Sequence, residues 1–144
     1  MSVLSLLARI MLAAIFLGSG INKLLNIQET VATMTKVGIP MPNLLVFGAI
    51  AFLLVGGLSV VLGLFTRVGT VLLMIFLVMA TYYFHAFWSV PEDQFKTQMI
   101  AFQKNLGLMG GLLFLFANGP GLFSMDRRRI NREAVVVERT VVSD

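Results

Sequence analysis

Apolar residues run almost unbroken through four stretches of this 144-residue chain, and polar residues gather between them. The stretches are 3–25, 44–65, 68–88 and 99–117. A helix needs about 20 residues to cross roughly 30 Å of hydrocarbon, and each stretch approaches that length. The fourth does so only if Gln103, Lys104 and Asn105 lie inside it. Leu106 to Phe116 alone would rise about 16 Å, too little to cross. The pattern therefore predicts an all-α fold, an integral membrane four-helix bundle, with the polar trio near one end of the fourth helix.

The connections carry their own signals. Thr66–Arg67 leaves room only for a tight hairpin between the second and third spans. Residues 26–43 are longer and amphipathic: Ile27, Val31 and Met34 alternate with Gln28, Glu29, Thr30 and Lys36. Such a pattern predicts a short interfacial helix between helices 1 and 2, which Gly38, Pro40 and Pro42 then terminate. Ser89 to Gln98, with Pro91, Glu92 and Asp93, reads as a loop. The expected organisation is a four-span membrane domain over 1–125 and a basic cytoplasmic tail over 126–144.

Composition agrees with lipid as the solvent. The chain is 58% hydrophobic and 12% charged, with a mean hydropathy of +0.90, too little charge to cover a soluble surface. The net charge of +4 does not point to nucleic acid, because five of the eleven basic residues are Arg127, Arg128, Arg129, Arg132 and Arg139. A basic segment beside a span is an orientation signal. Four spans place both termini on one side, and the positive-inside rule makes that side the cytoplasm. The expected location is a bacterial plasma (inner) membrane, multi-pass, with membrane lipids as immediate partners. The chain has no cysteine and one histidine, which removes thiolate metal sites, disulfides and a bis-histidine haem from consideration. No metal site is expected.

Charge inside a span is costly, so it is informative. Ser5, Arg9, Ala13, Phe16, Gly20 and Lys23 fall on one face of the first helix, the pattern of a face turned toward other helices. Arg9 and Lys23 are about 21 Å apart along that face and belong to opposite membrane surfaces. At the inner surface Arg9, Arg67 and Asp126 form one candidate charge cluster, with Asp126 expected to ion-pair with Arg9, Arg67 or the tail arginines. At the outer surface Asn22, Lys23, His85, Gln103, Lys104 and Asn105 collect beneath Tyr82, Tyr83, Phe84, Phe87 and Trp88. The aromatics also fit an interfacial belt, the lysines fit snorkelling to lipid phosphate, and His85 fits a polar group satisfied by a neighbouring helix. Taken together, two lysines, an imidazole and amides suit an anion or the head group of a quinone. Small residues recur at Gly48, Gly56, Ser59 and Gly63 and at Gly107, Gly110 and Gly111, where helices can approach closely.

Several stretches in order resemble the DoxX family of small four-helix bacterial membrane proteins. They are Arg9 with "GSGINKLL", "VGIPMP", "GGLSVVLGLFTR", "YYFHAFW" and "KNLGLMGGLLFLFANGPGLFSMD". The resemblance implies an accessory or anchor subunit of a membrane redox (quinone-linked) complex without its own redox centre, and not an enzyme by itself. It also implies quinone as the candidate cofactor, none covalently bound, and a membrane or peripheral redox partner. Its matching polar positions are Arg9, Lys23, His85, Lys104, Asn105 and Asp126. Where the family often carries a glutamate in the second span, this chain is apolar, around Leu53. The other readings of the residues are a stand-alone small-anion or lipid-headgroup binder or transporter, working as a homo-oligomer, and a purely structural bundle.

Overall fold

A computed structural model describes residues 2–127. The expected basic tail, with Arg128, Arg129, Arg132 and Arg139, lies outside the described residues apart from Asp126 and Arg127. Five α-helices follow in order: α1 Ser2–Leu25, α2 Ile27–Lys36, α3 Pro42–Leu62, α4 Thr66–Phe84 and α5 Glu92–Asn118, with a single 3-10 turn at Phe87–Ser89 before α5. Four of them are long and apolar enough to cross a membrane, and each shows at most a third of its most apolar window buried. Leu4, Met11, Leu25 and Phe114 are among the large apolar side chains that point outward, as a lipid-facing surface requires.

Two boundaries differ from the sequence expectation. Helix α5 begins at Glu92, seven residues before the expected span. Its first turn carries Glu92 and Asp93 just after Pro91. Carboxylates there favour the partial positive charge of a helix N-terminus, so residues that look like a loop by polarity are a helix start by position. Helix α4 ends at Phe84 instead of Trp88, and the freed aromatics pack edge-to-face on α5. Phe87 lies 5.7 Å from Phe95 and 5.2 Å from Phe102, centroid to centroid.

The small-and-polar stripe of α1 is its inward face. Arg9, Ala13, Phe16 and Gly20 are buried, and Ser5 and Lys23 are half-buried. Glycine permits the close approaches. A methyl at Gly56 would press on Leu73 and the Gly69 carbonyl of α4, and one at Gly57 would press on Leu17 of α1. The central core of Ala13, Phe16, Leu53, Val60, Leu73, Leu77, Leu112 and Leu115 fills the space so defined. Helix α5 departs from the expected close packing. Gly111 meets Leu12, but Gly107 and Gly110 face open space. Helix α1 packs chiefly on α3 and α5 on α4, so α1 and α5 barely touch. The amphipathic segment forms α2 as expected. Its buried Met34 joins Val46 and Ile50 of α3, with Ile27 and Val31 alongside, so its apolar stripe is seated on the bundle.

At the Arg9 end the chain turns sharply. Gly63 closes α3 with φ +65°, and Phe65 precedes α4 with φ 48°, a left-handed conformation that a bulky residue rarely adopts. Asp126 holds this turn. Its Oδ1 accepts the Phe65 N–H at 2.8 Å, and its Oδ2 accepts the Thr66 N–H at 3.0 Å and the Thr66 hydroxyl at 2.8 Å. The Asp126 N–H donates back to the Gly63 carbonyl at 2.8 Å. The carboxylate thus caps α4 across 60 residues of sequence. Replacing Asp126 with Ala should lower stability in detergent by about 1–2 kcal/mol, with Asn recovering part of the loss. Gly63→Ala should do more damage, because the new Cβ meets both the left-handed φ and the Arg9 guanidinium beside Ser124. Thermal unfolding of the three variants in one detergent checks the order; a Gly63→Ala protein as stable as its parent would contradict it.

Candidate functional site

The two candidate clusters lie at opposite ends of the bundle. In the first, Arg9 is 2% exposed and sits on the inward face of α1. Its Nη1 donates to the Val60 carbonyl of α3 at 3.5 Å, and its Nη2 donates to the Phe123 carbonyl of the segment after α5. Asp126 attracts it electrostatically. Ser5 donates to the Pro120 carbonyl at 2.9 Å, pinning the same segment to α1. The Asp126 carboxylate also caps α4, through the Phe65 and Thr66 N–H groups and the Thr66 hydroxyl. Arg67 is exposed, on the outer side of the same turn. These bonds tie the segment after α5 to α1, to α3 and to the turn before α4.

The other end opens into a cavity of about 590 Å³. Asn22, Lys23, His85, Lys104 and Asn105 all line it. Gln103 does not; it is exposed, one residue round the helix from Lys104, which is 100° away. The cavity lies where α1 and α5 stay apart, and α2, packed on α3 and the end of α1, lines it as well. From α2 come Glu29, Thr30 and Thr33, none of them singled out by sequence reasoning, because an amphipathic stretch gives no sign of which way its polar face turns. Below this polar mouth the walls become apolar and aromatic, with Phe16, Phe52, Phe76, Tyr83 and Phe84.

Three hydrogen bonds fix the mouth. Asn105, buried in α5, donates from Nδ2 to the Thr81 hydroxyl of α4 at 2.9 Å, and that hydroxyl donates to the Leu77 carbonyl at 2.6 Å. His85 Nδ1 lies 2.9 Å from Gln98 Oε1. The contact ties the imidazole to α5, with donor and acceptor roles set by the ring tautomer. Gln98 is a missed participant. It falls in the stretch read as a loop, and only the early start of α5 brings it beside His85. Lys23 is half-buried, and no carboxylate or carbonyl partners its ammonium among the described residues. The arrangement can orient a polar head by hydrogen bonds and charge at the mouth while an apolar body fills the space below. Leu53, at the place where the family often carries a glutamate, is fully buried in the central core and does not line the cavity.

Comparison with known proteins agrees with this architecture. The chain is 36% identical over 126 residues to "Inner membrane protein YphA" of Escherichia coli (strain K12), spanning 88% of this chain and 90% of that protein. It is 30% identical over 127 residues to "Inner membrane protein YqjF" of the same organism, spanning 85% and 88%. A shorter match, 32% over 72 residues, covers 49% of this chain and 24% of "Surfeit locus protein 4 homolog" of Schizosaccharomyces pombe (strain 972 / ATCC 24843). No solved structure matches. The DoxX family profile matches residues 4–86, which hold α1 to α4 and His85, and with the two relatives it shows that this chain is a membrane protein of the DoxX family.

Proposed function

We propose that this protein holds an amphipathic, membrane-dissolved molecule without transforming it, as a binding or accessory subunit of the bacterial inner membrane. The observation that carries the reading is a cavity that joins a polar mouth at Lys23, His85 and Lys104 to an aromatic body at Phe16, Phe52 and Phe76. Cavities of a few hundred cubic ångströms with few convergent polar groups are the usual form of a small-molecule site. The form of this reading that the family resemblance favours is service in a quinone-linked complex. Flat rings suit the five aromatic side chains, and quinone carbonyls can accept hydrogen bonds from lysine or amide donors. The chain supplies position and polarity, and electron transfer belongs to a partner. The proposed orientation puts the Arg9 end and both termini in the cytoplasm and the cavity mouth on the other side. Arg67 and the arginine tail supply the orienting charge.

Two measurements test this. In lipid nanodiscs, a short-chain quinone should bind at micromolar affinity, and Phe52→Trp, which fills the aromatic floor, should weaken binding by roughly tenfold. Failure to bind any amphiphile, or indifference to Phe52→Trp, would remove the cavity as the site. For orientation, the cysteine-free chain permits single-cysteine labelling. In intact cells a membrane-impermeant maleimide should reach Gln94→Cys but not a cysteine added after Asp144, and the reverse pattern would invert the proposed topology.

A further inference from the structure

We infer that the molecule held in the cavity is an anionic amphiphile, an oxyanion head on an apolar body. The inference rests on the cavity reading above and names its ligand class, an anionic head in place of the neutral quinone head that the family resemblance favours. It starts from Lys23. This residue belongs to the inward stripe of α1, in line with Arg9. The two cations are treated differently by the fold. Arg9 is met by the Val60 and Phe123 carbonyls and by the charge of Asp126. Lys23 has no hydrogen bond and no ion pair among the described residues, although it is half withdrawn from solvent.

A partly desolvated ammonium gains most from a partner that completes its charge and its hydrogen bonds. The space in front of it is the cavity, and Lys104 lines the same cavity from the opposite side of the α1–α5 seam. Two cations from different helices, the half-buried Lys23 and the exposed Lys104, line one void and are the groups an oxyanion there would meet. The nearby amide of Asn105 is already engaged with Thr81, so it holds the wall in place and leaves the lysines as the free donors.

The body of the ligand is set by what lies beneath. The lining passes from Lys23 and Asn22 through Ser19 to Phe16 and Ile15 within two turns of α1. A bare inorganic anion would leave that apolar space unused, whereas an acyl chain or a ring system would fill it. Glu29 on α2 lines the same mouth and opposes the lysines. It lowers the net positive charge that an anion meets, so removing it should strengthen binding. A site that merely snorkels lysines to bulk lipid would not respond to a carboxylate on α2.

The test compares myristate, myristoyl lysophosphatidate, myristyl alcohol and inorganic phosphate as probes of the full chain in nanodiscs of neutral lipid. Myristate or the lysophosphatidate should bind at least tenfold more tightly than the alcohol, and whichever of the two binds better identifies a carboxylate or a phosphate head. Lys23→Met with Lys104→Met should erase that preference, Lys23→Arg should keep it, and Glu29→Gln should tighten the anionic probes about threefold without moving the alcohol. Equal affinity for alcohol and anions in the parent protein overturns the ligand class and leaves the cavity reading standing. Binding of inorganic phosphate as tight as that of the amphiphiles overturns the requirement for an apolar body. No binding by any probe that carries a chain overturns both.

Discussion

The bundle depends on the burial of one guanidinium. Arginine at the centre of a membrane helix is disfavoured by about 2.5–3.5 kcal/mol on insertion scales, so a position like Arg9 persists only if the fold supplies partners. It does so from two sides. The carbonyls of Val60 and Phe123 accept its protons, and Asp126 supplies the opposing charge. Val60 belongs to α3, and Phe123 and Asp126 to the segment after α5, where Asp126 in turn holds the turn that starts α4. One cation therefore draws all four membrane helices to a common end. The requirement propagates to Gly63, whose missing side chain leaves room for the guanidinium, and to Phe65, whose left-handed backbone Asp126 holds.

Closure at one end leaves freedom at the other. Helices α1, α3 and α4 meet through Gly20, Gly56, Gly57 and Gly69, each with a neighbour where a methyl would stand. Glycine brings the helix backbones together, and dispersion contacts replace the hydrophobic drive that lipid does not provide. Helix α5 joins this group mainly through α4, so the seam between α1 and α5 parts toward Lys23 and Lys104. Helix α2 packs on α3 with Met34 in an apolar cluster, and its Glu29, Thr30 and Thr33 line the void. The closed end and the cavity are two results of one packing order. Tight contact along α1–α3–α4 fixes the frame, and loose contact along α1–α5 leaves space.

The linear pattern determined the spans and the bundle, because length and apolarity alone decide what can cross hydrocarbon. It also determined the inward face of α1, since 3.6-residue periodicity puts Ser5, Arg9, Ala13, Phe16, Gly20 and Lys23 on one stripe. Of the polar residues retained in the spans, Lys23, His85, Lys104 and Asn105 line one void. Only the tertiary structure decided the rest. Gln103 turns away from that void while its neighbour Lys104 lines it, because α5 packs on α4 and one residue step rotates by 100°. Asp126 became a helix cap once the chain after α5 folded back to Gly63, a contact 60 residues distant that no local pattern contains. Glu29, Thr30 and Thr33 became cavity residues because α2 seats its apolar stripe on α3. A periodic pattern specifies that a helix has two faces, and the partner it packs against chooses where each one points.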